Sequence, residues 1–203
     1  MEKITGVILA GGQGRRMGGV DKGLTLLQGK PFIEWVLERF SPQVNEVLIN
    51  ANQNLKHYAR FGYRVIPDEI GGFAGPLAGL HRALAEARHG LVATVPCDSP
   101  FLPRDLVERL YAGLAAEKAQ LAVAKTFAQP HPVFCLCRRA VLAHLNEFLA
   151  SGGRKIDAWY ATLEVAEVAF DDQEEAFSNI NTPEELTGFE ADTPPSGATK
   201  RTS

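Results

Sequence analysis

A chain of 203 residues, 45% of them hydrophobic, has enough apolar mass for one sizeable core. A formal charge of −3 excludes a protein that tracks nucleic acid along a basic surface, and leaves room for a local basic pocket. No apolar run reaches the roughly 20 residues of a membrane helix, no leader precedes the first strand, and three cysteines (97, 135, 137) suggest free thiols, so a cytoplasmic protein is expected.

Residues 3–9 read as a buried strand. Glycines follow at 11, 12, 14, 18, 19 and 23, with Arg15, Arg16 and Lys22 among them and Asp21 as the sole acid. Without Cβ atoms in the way, such a turn brings backbone N–H groups close to an anion, so the simplest chemistry is a polyphosphate cradle. It is not a P-loop, because Lys22 is followed by Gly23, and it is not a dinucleotide fingerprint, because Met17 replaces the third glycine.

Pro31 is expected at the first position of a helix over 31–40, with Ile33, Val36, Leu37 and Phe40 facing a core. Strands are expected at 46–50 and 64–66, the second running into Asp68, with a short helix over 55–60 between them. A second glycine-rich turn over 71–79 precedes a helix carrying Leu77, Leu80 and Leu84. The near-continuous apolar run 91–95 suits a central parallel strand and ends at Pro96-Cys97-Asp98. Pro103 is expected to open the next helix, with Leu106, Val107, Leu110 and Leu114 on one side.

The second half is more mixed. Strands are expected over 120–125, 133–137 and 164–170, and helices over 139–150 and around Trp159 and Tyr160. Thr182 to Glu185, with Pro183, forms a capping box for a last helix. The composition then predicts a disordered tail over 190–203 behind one domain of residues 1–189.

Strands alternating with helices predict an α/β fold of three layers, α/β/α, Rossmann-like, around a mostly parallel sheet. Ligands in such sheets sit at the carboxyl ends of the strands, where the first glycine loop, Asn50, Asp68 and Asp98 should converge. Asp98 ends the most buried strand, where a carboxylate needs compensation, either by a metal or by an Asx-turn over Ser99 and Pro100. Lys22 suits phosphate oxygens. Arg15 and Arg16 suit either phosphates or an ion pair with Asp21 or Glu2. Backbone groups around Leu9, Ala10 and Gly11 and the Asn50 amide suit the polar edge of a base, and Asp68 suits base or ribose. His131, between two prolines, reads as structural; Cys135 and Cys137 lack the further ligands of a metal site, and Cys97 reads as a small buried residue.

The stretch Leu9-Ala10-Gly11-Gly12-x-x-x-Arg16-Met17-Gly18, with Asp21-Lys22 behind it, resembles the signature of nucleotidyltransferases, and within them is most similar to the molybdenum cofactor guanylyltransferases. The resemblance spans most of residues 4–188, and the double glycine at 11 and 12 looks like the guanylyl branch. It implies transfer of GMP from GTP to molybdopterin with release of pyrophosphate. It also implies Lys22, Asp98 and Arg16 as catalytic, and Leu9, Ala10, Gly11, Lys22, Asn50, Asp68 and Asp98 as nucleotide-binding. Asp98 would hold Mg²⁺, and Arg154, Asn179 and Asn181 would bind the acceptor, with 129–132 on the same side. The expected partners are the two substrates, with neither nucleic acid nor membrane, for a monomer in transient contact with other molybdenum cofactor proteins. The competing expectations are a transferase using CTP or a sugar phosphate, and a non-catalytic nucleotide or cofactor carrier.

Overall fold

The first strand, β1 (Ile4–Leu9), is buried at five of its six positions because it lies inside the sheet. In this computed structural model, which describes residues 2–11, 21–69 and 75–178, β1 pairs in parallel with β4 (Glu46–Asn50) on one side and β6 (Leu91–Pro96) on the other. Beyond β4 lies β5 (Arg64–Ile66), also parallel. Beyond β6 lies β8 (Gln129–Arg138), antiparallel to it, then β7 (Leu121–Thr126), antiparallel to β8, and β9 (Val165–Ala169), parallel to β7. The order is β5-β4-β1-β6-β8-β7-β9, with β8 alone opposing the other strands. A separate ribbon joins β2 (Leu26–Leu27) to β3 (Lys30–Pro31).

Side chains alternate between the two faces of each strand. Ile8 and Ile49 point to one core with residues of α1 (Phe32–Phe40) and α4 (Leu106–Ala116). Val7 and Leu48 point to the other, with α3 (Pro76–Glu86), α5 (Leu142–Ala150) and α6 (Ile156–Tyr160). Helices on both faces give the expected three layers. The short α2 (Leu55–Tyr58) follows β4 and buries Tyr58. No helix among the described residues is long and apolar enough to cross a membrane.

Several boundaries differ from expectation. Pro31 ends the β2–β3 ribbon in an extended conformation (ψ 144°) and caps α1, which starts at Phe32. The α4 helix starts at Leu106 rather than Pro103, whose carbonyl accepts the Leu106 N–H at 3.4 Å. The α3 helix begins at Pro76, so Gly79 lies inside it. Strand β8 extends back to Gln129 because its register against β7 shifts between Val123 and Ala124, a bulge that accommodates Pro130 and Pro132 without ladder N–H groups. The capping box at 182–185 and the tail lie outside the described residues.

From β1 the sheet grows one way through β4 and β5, and the other way through β6. The carboxyl ends of β1 and β6 therefore flank the switch point at which open α/β sheets bind ligands.

Candidate active site

Two loops meet at this edge. Past β6, Cys97 N–H bonds the Leu9 carbonyl at 3.1 Å, which carries Asp98 to the end of β1. After the glycine loop, a single 3-10 turn over Lys22–Leu24 presents Lys22. Lys22 Nζ lies 2.9 Å from Asp98 Oδ2, with the Asp98 side chain 12% exposed. The carboxylate left open by sequence is thus met by a cation.

Asp21, at the N-cap of that turn, is anchored from below. Its carboxylate accepts hydrogen bonds from the Tyr58 hydroxyl and, at 2.9 Å, from Asn54 Nδ2. Gly23 is buried over the Tyr58 hydroxyl, which a Cβ would strike. Burial foremost, then the Cys97 thiol and Asp21, pushes the Tyr58 hydroxyl far above its ordinary range, so it stays a donor. Burial, with Asp98 and Asp21 beside it, likewise holds the Cys97 thiol well above its ordinary value, against the opposing pull of Lys22, so it remains a protonated, unreactive group. Cys97, Cys135 and Cys137 are all free and buried.

A second cluster forms at the ends of β4 and β5. Asn50, 2% exposed, donates from Nδ2 to the Ile66 carbonyl (3.1 Å) and to Asp68 Oδ1 (2.8 Å). Asn52 Nδ2 donates to Asp68 Oδ2 (2.7 Å) and to the Gly11 carbonyl (3.4 Å), and Asn52 Oδ1 accepts the Asp68 N–H (2.8 Å). Ala10 N–H bonds the Asn50 carbonyl at 2.8 Å, which ties the start of the glycine loop to the same place. On α3, a Cβ at Gly79 would stand 2.6 Å from Asn50 Oδ1 and 2.9 Å from Leu9 Cδ2, so only glycine lets the helix approach this amide. Leu9, Ala10, Gly11, Asn50 and Asp68 are thereby brought together, and Lys22 with Asp98 lies at the same strand edge.

The acceptor-side expectations fare differently. Arg154 is exposed, and its Nη1 donates to the Leu149 carbonyl (2.9 Å) and the Gly153 carbonyl (2.6 Å) at the end of α5, away from the Lys22–Asp98 pair in its contacts. Arg16, Asn179 and Asn181 lie outside the described residues. His131 has the structural place expected of it: Nε2 meets Thr126 Oγ1 at 2.7 Å and the ring stacks on Phe177 with centroids 4.7 Å apart.

Sequence reasoning missed Asn52, Asn54 and Tyr58. Asn52 had a legible signal, since it repeats the amide of Asn50 two positions on, the period of one strand face. Tyr58 and Asn54 gave none, because their partner Asp21 is more than thirty positions away.

A family model described as the MobA-like NTP transferase domain matches residues 6–165. The molybdenum cofactor guanylyltransferase of Shewanella amazonensis is 52% identical over 184 residues, 91% of this chain and 94% of the relative. That of Shewanella putrefaciens is 49% identical over 189 residues, 93% of this chain and 97% of the relative. Among solved structures, molybdopterin-guanine dinucleotide biosynthesis protein A from Archaeoglobus fulgidus superposes with a TM-score of 0.77 at 29% identity, covering 92% of this chain and 97% of that one. The 4-diphosphocytidyl-2C-methyl-D-erythritol synthase of Anaerococcus prevotii, at 14% identity and a TM-score of 0.72 over 94% of this chain and 95% of that one, shares the fold alone. With matches of this identity and extent, the chain belongs to the MobA-like NTP transferase family and, within it, to the molybdenum cofactor guanylyltransferases.

Proposed function

We propose that the chain transfers GMP from GTP to molybdopterin, forming molybdopterin guanine dinucleotide and releasing pyrophosphate, at the edge where β1, β4 and β6 end. The observation that carries this reading is the convergence there of Lys22, Asp98, Asn50, Asp68 and the Leu9–Ala10–Gly11 backbone. Backbone groups of 9–11 and the Asn50 amide orient guanine, and the Asp68 carboxylate takes donors of base or ribose. Lys22 holds phosphate oxygens as a compact charge. The phosphate of the acceptor is already ionised, so its attack on the α-phosphorus needs no general base; what the protein supplies is alignment and charge. Arg16 on the nucleotide phosphates, and Arg154, Asn179 and Asn181 on the acceptor, complete the proposal.

Asp98 fits magnesium by its chemistry: it is a hard oxygen donor, largely out of water, that already faces a cation. Among the described residues no three or more His, Cys, Asp or Glu side chains gather to hold a metal, so phosphate oxygens would complete the ligand set. Bound there, the ion would supply positive charge toward the α-phosphate and the departing pyrophosphate. The proposal further places the protein in the cytoplasm, as one domain over residues 1–189 and a monomer in transient contact with other molybdenum cofactor proteins.

The test is pyrophosphate release with magnesium, molybdopterin and each of the four NTPs in turn. GTP alone should support turnover; preference for CTP refutes the guanylyl reading, and GTP binding without any turnover favours a carrier. Asp98→Ala should retain GTP binding and lose pyrophosphate release, and undiminished turnover in that variant would refute its assigned role.

A further inference from the structure

Asn52 is exposed, yet its carboxamide is committed to one residue and one loop. Its Oδ1 takes the Asp68 N–H at 2.8 Å, and its Nδ2 bonds Asp68 Oδ2 at 2.7 Å and reaches the Gly11 carbonyl at 3.4 Å. The other Asp68 oxygen, Oδ1, is held by Asn50 at 2.8 Å. One amide on each oxygen fixes the plane of the carboxylate, which turns only by breaking one of the two bonds. A carboxylate accepts at about four positions, so the bonds from the described residues leave two for a ligand presenting paired donors. Guanine's N1–H and N2–H₂ form such a pair, and so do the two ribose hydroxyls. An exposed amide contributes little to folding, so these bonds act chiefly on geometry.

We infer that Asn52 is a positioning residue for nucleotide selectivity: it sets the Asp68 carboxylate and couples it to the glycine loop through the Gly11 carbonyl. Asn52 itself touches no substrate and acts through Asp68. The inference rests on the proposal that Asp68 binds base or ribose, and the experiment separates the two.

Dissociation constants for GTP, ITP (which lacks the 2-amino group) and 2′-deoxyGTP are measured on the wild-type chain, Asn52→Ala and Asp68→Ala. Asp68→Ala should flatten one of the two ratios, GTP over ITP for base recognition or GTP over 2′-deoxyGTP for ribose recognition. Asn52→Ala should flatten that same ratio, weakening GTP binding by about five- to thirtyfold. The melting temperature should stay within about 2 °C. Full discrimination in Asn52→Ala, where Asp68→Ala has lost it, overturns the inference and leaves the Asp68 proposal standing. Full discrimination in Asp68→Ala overturns both. Should Asn52→Ala fail to fold, Asn52→Asp keeps the acceptor for the Asp68 N–H and sets carboxylate against carboxylate. It must lose the same ratio if the inference holds, and retaining it overturns the inference.

Discussion

Lys22 Nζ lies 2.9 Å from Asp98 Oδ2 across 76 positions of sequence, and the two groups are unequally shielded, with the lysine side chain 25% and the aspartate side chain 12% exposed. Removing either partner therefore has different costs. Lys22→Met leaves a largely buried carboxylate without its cation and should cost about 1–3 kcal/mol of stability. Asp98→Asn leaves an ammonium that water still reaches and should cost less. Thermal melts of the two variants without metal test the ordering, and a larger loss in Asp98→Asn would contradict it.

Tyr58→Phe deletes the hydroxyl that holds Asp21 while keeping the buried ring. Of the two side-chain donors to the Asp21 carboxylate among the described residues, Asn54 then remains, and turnover should fall by roughly 1 kcal/mol in transition-state terms, about fivefold. The wild-type chain should also lose stability on the alkaline side. The folded Tyr58 keeps its proton above the unfolded value of about 10, so its contribution is complete below that pH and declines above it. Urea midpoints between pH 8 and 11 should fall in the wild type, and Tyr58's share should vanish in Tyr58→Phe.

These two sites show where sequence legibility ended. The strands that build the edge were legible because burial on both faces leaves near-continuous apolar runs, as in Leu91–Pro96. Asn50, Asp68 and Asp98 were legible as polar residues ending such runs. The partner of Asp98 was not derivable from spacing, since Lys22 reaches it only through the folding of a turn onto Tyr58. The start of β8 was hidden because Pro130 and Pro132 argue against a strand, and only a bulge reconciles them with one.

His131 predicts an acid limit. Burial lowers its pKa below the ordinary value, with Glu174 pulling the other way. The unfolded chain therefore takes up the proton first as pH falls. Stability from the neutral ring, bonded to Thr126 and stacked on Phe177, is complete above about 6.5 and is lost as pH drops through the folded value. Urea midpoints should decline from pH 7 to 5, and His131→Gln should flatten that decline.

Gly79→Ala sets helix propensity against the site. An alanine inside α3 should stabilise the helix by up to about 1 kcal/mol. Its Cβ would stand 2.6 Å from Asn50 Oδ1, so the amide must move. The expected result is a near-unchanged melting temperature with GTP affinity reduced several-fold, read by titration calorimetry. Unchanged affinity would show that Asn50 is not held where guanine binds.

The reversed strand β8 has a consequence for synthesis of the chain. Strands β1, β4, β5 and β6 are complete once residue 96 has emerged, but the open flank of β6 is covered only by β8, which ends at Arg138. Until then a nascent chain carries a mostly apolar strand, buried throughout in the finished fold, with bare backbone amides along one side, a template for pairing with neighbouring polypeptides. Chains stopped between these points should aggregate, whereas release past β9 should yield soluble material, so the hairpin of β7 and β8 acts as the seam that closes the protein during translation.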